Sequence, residues 1–89
     1  MTSRTSSDFR RDLARLPAAV RRQVRDAYRL FRDNPQHPSL KFKKLPPHED
    51  LWSVRISNDY RAIGRYRGDV LVWFFVGSHA DYDKLVARM

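Results

Sequence analysis

The chain has 89 residues, 42% of them hydrophobic and 31% charged, with eleven aromatics; this is one small folding unit, too apolar for disorder and too short to give two halves a core each. No cysteine is present, which excludes disulfides, thiolate metal sites and a cysteine nucleophile together, and His37, His48 and His79 lie too far apart in sequence for a local metal motif, so no metal or cofactor is expected. The net charge of +8 is unevenly held: residues 1–48 carry twelve Lys and Arg against four acids, residues 49–89 six against six. A polyanion or an acidic protein is the partner such a surface attracts, against the plainer reading of solubility alone.

Residues 1–8 are polar and lack the apolar run of a signal peptide, and the most hydrophobic stretch, 70–77, falls far short of the roughly 20 residues that span a bilayer. A soluble, cytoplasmic protein without a membrane partner is expected, organised as a single domain over residues 1–89. A short opening strand within residues 2–5 is only weakly signalled. Phe9, Leu13 and Leu16 then fall at i, i+4, i+7, the stripe of a short helix with Ser6 or Ser7 available as its cap. Pro17 ends this helix or opens the next, in which Val20, Val24, Ala27 and Phe31 form an apolar stripe opposed by Arg22, Arg25, Arg29 and Arg32. The arginines read more simply as a solvated face than as a binding site. Asn34-Pro35 stops the second helix, and a Pro-rich basic connector follows to Asp50.

The second half alternates. Trp52, Val54 and Ile56 point one way and Ser53, Arg55 and Ser57 the other, then Asn58-Asp59 turns the chain. Residues 60–66 alternate again, Gly68-Asp69 makes a second turn, and 70–77 is a nearly continuous apolar run. Residues 80–89 read as a helical turn or a tail. The class is α+β, a two-helix hairpin packed on a twisted antiparallel sheet of three to four strands.

Register sharpens this. A turn centred on Asn58 puts Trp52, Val54, Ile56, Tyr60 and Ala62 on one buried face and Arg55 directly across from Arg61. A two-residue turn at Gly68-Asp69 pairs Arg65 with Val72, Ile63 with Phe74 and Arg61 with Val76, leaving Leu71, Trp73 and Phe75 on the helix side. Like charges opposed on a sheet repel, so two facing arginines want an anion between them, unless both splay into solvent or pair with Asp59 or Asp81.

The order and spacing of Phe9-Arg10-Arg11-Asp12-Leu13, Leu16-Pro17, Asn34-Pro35, Leu40 to Leu45, Trp52-Ser53-Val54-Arg55-Ile56, Asp59-Tyr60-Arg61-Ala62-Ile63 and Gly77-Ser78-His79 resemble the RelE/ParE superfamily of bacterial toxins, the basic partners of type II toxin-antitoxin pairs. The resemblance implies a RelE-like fold, a cognate antitoxin as partner and, in the RelE branch, ribosome-dependent cleavage of mRNA that inhibits translation; ParE-like relatives poison DNA gyrase instead. Arg61 matches a position where RelE-like nucleases hold the scissile phosphate with an arginine, and Arg55 a basic or histidine position on the preceding strand. His79 matches a histidine or arginine of the reaction centre, Gly77-Ser78-His79 resembling the Gly-Thr-His of the YafQ-like branch, in which Asp59 would match an aspartate. The tyrosine many relatives carry near the carboxyl terminus has no equivalent at the usual spacing, Tyr82 lying closer to His79.

RNA carries its own nucleophile, the 2′-hydroxyl, so a metal-independent endoribonuclease needs proton transfer and charge stabilisation at the phosphate. Imidazole suits the proton transfer because it titrates nearest neutral pH, which makes His79 the candidate, with Arg55 and Arg61 as the clamp and Asp59, Asp81 or Tyr82 as the second acid or base. Lys41, Lys43, Lys44 and Arg65 suit contacts along an RNA strand, or else form an exposed basic surface. The partners expected are therefore an antitoxin, mRNA and the ribosome rather than a small molecule. A gyrase-directed toxin and a non-catalytic nucleic-acid-binding domain are the rival readings.

Overall fold

The apolar stripe of Phe9, Leu13 and Leu16 produces α1 (Ser7–Ala14). Ser6 caps it, its side chain accepting the Phe9 N–H at 3.1 Å, which satisfies a donor that has no partner inside the helix. Pro17 stands just before α2 (Ala18–Asp33), where its missing N–H is harmless. Val20, Val24, Ala27 and Phe31 are all buried, and Arg22, Arg25, Arg29 and Arg32 are all exposed, as two opposed helical stripes require.

The computed structural model describes residues 2–89. Its strands are β1 (Thr2–Thr5), β2 (Lys43–Lys44), β3 (Leu51–Arg55), β4 (Tyr60–Arg67) and β5 (Val70–Ser78), joined in one sheet of order β1-β5-β4-β3-β2. The α+β class stands, but the sheet has five strands and is mixed, not three or four and all antiparallel. β1 runs parallel to β5, with Thr2 beside Val70 and Thr5 beside Trp73. It is tied to α2 by the Tyr28 hydroxyl, which donates to the Ser3 carbonyl at 3.2 Å. β2 is only two residues long and lies inside the connector, after a 3-10 turn at Pro38–Leu40.

Arg55 stands opposite Arg61 and Val54 opposite Ala62, the register that alternation and the Asn58 turn demand. The second hairpin turns at Gly68, whose φ is +63°, a value an L side chain adopts only under strain. Arg65 faces Val72 as expected, but the register then slips: Ile63 faces Phe75, not Phe74, and Arg61 faces Gly77, not Val76. Phe74 is the extra residue of a β-bulge, and the bulge turns the rest of the strand over. Leu71 and Trp73 pack beneath α1 and α2 with Val76, whereas Phe75, expected on that side, joins the opposite face. A continuous apolar run contains no alternation that could mark one surplus residue.

That opposite face is covered. Residues 79–88 are neither a single turn nor a tail but a helix, α3 (His79–Arg88), whose start is capped by Ser78 accepting the Asp81 N–H at 3.1 Å. Tyr82 is buried from α3 with Leu45, Leu51 and Ile63, and Leu85, Val86 and Met89 pack around them. On the other face Phe31 meets Trp73 edge-on at 5.3 Å and Phe42 at 4.9 Å. The sheet is thus sandwiched, and each large apolar side chain withdrawn from water contributes about 1.5–3 kcal/mol before the cost of ordering it. Among the described residues no helix is long and apolar enough to cross a membrane.

Candidate functional site

Strand alternation sends Ser53, Arg55 and Arg61 to the α3 side of the sheet, and α3 begins two residues after Gly77, the partner of Arg61. His79 and Tyr82, one helical turn apart, therefore come down beside the two arginines. The result is a cleft of about 370 Å³ lined by Lys41, Lys43, Ser53, Arg55, Arg61, His79, Tyr82 and Asp83. Six residues named from the sequence meet here: the two lysines, the two arginines, His79 and Tyr82.

Four others lie outside it, Asp81 among them, which lines a separate hollow with Tyr60, Gly77 and Ser78. Lys44 alternates to the opposite face, its Nζ 3.0 Å from Glu49 and 6.0 Å from the Trp52 ring. Arg65 shares the face of Arg61 but sits four residues along the strand, about 13 Å at the usual rise. Its Nε lies 3.3 Å from the Asp50 carboxylate, out of line for a hydrogen bond, and its guanidinium 5.7 Å from the Phe74 ring. Asp59 occupies the turn between β3 and β4 and touches the site through its backbone: its carbonyl accepts the His79 N–H at 2.7 Å. That bond fixes the start of α3 against the turn that precedes Arg61.

The two arginines are not equivalent. One Arg61 Nη donates to the carbonyls of Ser57, Asn58 and Tyr60, the last two at 3.3 and 3.0 Å, so the turn's own dipoles hold this guanidinium in place. Arg55 has neither a hydrogen bond nor an ion pair among the described residues, and neither arginine pairs with Asp59 or Asp81. The facing pair thus leaves one cation oriented and one free to meet an anion.

Asp83 and Ser53 were not anticipated. The His79 Nδ1 is 3.0 Å from the Asp83 carboxylate at i, i+4, a pairing that exists only when residues 79–83 are helical. In the tautomer that donates Nδ1–H to Asp83, Nε2 is left as an acceptor with its lone pair available. The Tyr82 ring lies 6.0 Å from the imidazole at 64°. Ser53 is buried opposite Lys43 and Ile63; its side of the strand was legible from alternation, its place in the cleft was not. Lys41 enters with φ +45° and ψ +45° as the 3-10 turn ends, a left-handed conformation that costs a lysine about 1–2 kcal/mol. Chemically, the cleft offers four cations for a phosphate and an imidazole oriented by a carboxylate for a proton.

Residues 18–84 match the family model of the ParE-like toxin domain. No curated protein matches the chain. Among solved structures it is similar to a chain of the RelB-RelE antitoxin-toxin complex from Methanococcus jannaschii, with 16% identity, a TM-score of 0.72 and coverage of 91% of this chain and 95% of that one. It is similar to YafQ from E. coli strain BL21(DE3), with 17% identity, a TM-score of 0.67 and coverage of 90% and 94%. It also resembles a YoeB/ParE toxin from Agrobacterium tumefaciens, with 21% identity, a TM-score of 0.67 and coverage of 89% and 99%. The structural likeness is one of fold, the family match spans most of the chain, and on that ground the protein belongs to the ParE-like toxin domains of the RelE/ParE superfamily, the toxins of type II toxin-antitoxin systems.

Proposed function

We propose that this toxin is a metal-independent, ribosome-dependent endoribonuclease that cuts mRNA and so stops translation. The observation that carries the reading is the single cleft in which the unpaired Arg55, the oriented Arg61 and the Asp83-bound His79 converge. His79 Nε2 takes the proton of the RNA 2′-hydroxyl; the 2′-oxygen attacks phosphorus, the bond to the 5′-oxygen breaks, and the products are a 2′,3′-cyclic phosphate and a 5′-hydroxyl. The leaving oxygen needs a proton, and Tyr82 is the neutral acid lining the cleft beside His79. Arg55 and Arg61 offset the charge that builds on the phosphorane, while Lys41 and Lys43 hold neighbouring phosphates. Asp83 orients the imidazole, and the Asp59 carbonyl anchors the His79 backbone.

The test is His79→Gln, which keeps size and hydrogen bonding but not the titrating group. Single-turnover cleavage of ribosome-bound mRNA falls by about 10²-fold or more, the typical contribution of a general base, while ribosome binding stays nearly intact. A variant that cuts at the wild-type rate removes His79 from the chemistry.

The ParE-like character of the family match favours one alternative, inhibition of DNA gyrase. That reading requires a protein-binding surface and no proton transfer, so a His79→Gln toxin that remains fully toxic and alters DNA supercoiling while mRNA stays whole would replace the nuclease.

A further inference from the structure

Arg55 does not belong to one cleft only. On the other side of the β3 edge it also lines a second groove of about 250 Å³ between α2 and the end of β3. Arg55 is the residue the two hollows share, and because β2 pairs only with Trp52 and Ser53, no strand lies beside the β3 edge beyond Ser53. The second groove has an apolar floor of Ala27, Leu40 and Ile56, and on its rim stand Gln23, Asp26 and Ser39.

From this we infer that the α2 groove is a nucleobase subsite that selects guanine on the RNA strand running over Arg55 from the cleavage cleft, an inference that rests on the nuclease reading. The apolar floor suits the face of a base, and single-stranded RNA is read by splaying its bases out and pairing with their Watson–Crick edges. Gln23 and Asp26 are three residues apart on α2, so they stand on one face. A carboxylate only accepts, and guanine alone among the four bases offers two adjacent donors, N1–H and the N2 amino group, beside an acceptor, O6. Asp26 takes the two donors and the Gln23 amide donates to O6. The same carboxylate repels the N3 acceptor of cytosine and the N1 acceptor of adenine, and finds one donor on uracil. The Asp26–Arg29 contact, 3.6 Å between two well-exposed side chains, is a weak competitor.

Two measurements test this. In the first, wild type and Asp26→Asn are compared on ribosome-bound mRNAs that carry each of the four bases at every position flanking the cut. Wild type is expected to prefer guanine at one flanking position by about tenfold or more, the range of a good bidentate base contact, and Asp26→Asn to lose that preference. Equal rates on all four bases, or an unchanged preference in the variant, overturn the subsite. In the second, the free protein is titrated with 5′-GMP, AMP, CMP and UMP while the Gln23 side-chain amide is followed by NMR; selective movement with GMP is expected, and no selectivity overturns the proposal. If wild type cuts no mRNA at all, the nuclease reading fails first and separately. GMP selectivity without a base preference in cleavage means a mononucleotide site, and overturns the link to the RNA strand.

Discussion

Arg55 and Arg61 face each other across two strands, yet their removal has different consequences for the fold. Arg61→Ala deletes a donor that serves the turn carbonyls of Ser57, Asn58 and Tyr60. That loss, about 1 kcal/mol, is comparable to the relief of like-charge repulsion, so folding stability stays within about 1 kcal/mol of wild type while mRNA cleavage in a translating extract is abolished. Arg55→Ala breaks no bond among the described residues and keeps the relief, so it stabilises the free protein by several tenths of a kcal/mol at the cost of activity. Arg29→Ala, on the α2 stripe, leaves cleavage within a few-fold. Equal losses from Arg61→Ala and Arg29→Ala would mean that charge merely attracts RNA, with no localised clamp. Lys41 sets fold and function against each other more openly, since its left-handed backbone at φ +45° is one that glycine adopts freely. Lys41→Gly is expected to gain about 1 kcal/mol, raising Tm by roughly 4–8 °C, while cleavage falls; a lower Tm would show that the lysine side chain holds the turn together.

At the scale of elements, Gly64 shows how tightly the β5 side chains close over β4. A Cβ there would lie 2.9 Å from Trp73 Cε3 and 3.0 Å from Leu71 Cδ1, both side chains being buried. Gly64→Ala should therefore destabilise by about 1–3 kcal/mol, read as a lower urea midpoint with an unchanged slope. The sequence is clear where periodicity is clean: the α2 stripe is legible residue for residue, and alternation around Asn58 alone puts Arg55 across from Arg61. It was silent at Phe74, because seven apolar residues in a row, 70–76, carry no phase. It was ambiguous after Ser78, where Tyr82, Leu85, Val86 and Met89 do repeat at i, i+3, i+4, i+7 but within only ten residues. What decides for a helix is the uncovered second face of the sheet, with Ile63 and Phe75 on it, and that face exists only once all the strands are assembled. The His79–Asp83 pair was hidden for the same reason.

For the whole molecule, the decisive quantity is the distribution of its +8 charge. The helical half carries the excess, and the cleft gathers two of the connector's lysines to two arginines of the sheet, so an acidic partner that covers the cleft would neutralise it. Such a partner, encoded beside this toxin, is expected to co-purify with it on a single tag when the two are co-expressed, to suppress its toxicity, and to be loosened by salt. Two products that part on the column, with toxicity undiminished, would count against an antitoxin of this kind. The bulge in β5 has a last consequence at this scale. Because Phe74 reverses the strand between Trp73 and Phe75, the same nine residues first complete one core and then deliver His79 to the opposite side of the sheet. Were Phe74 instead drawn into the ladder as an ordinary strand residue opposite Ile63, every side chain of the proposed site would still be present, yet Val76 would leave its core and α3 would start on the wrong side. The irregularity in the strand is as much a part of the proposed site as the histidine at its end.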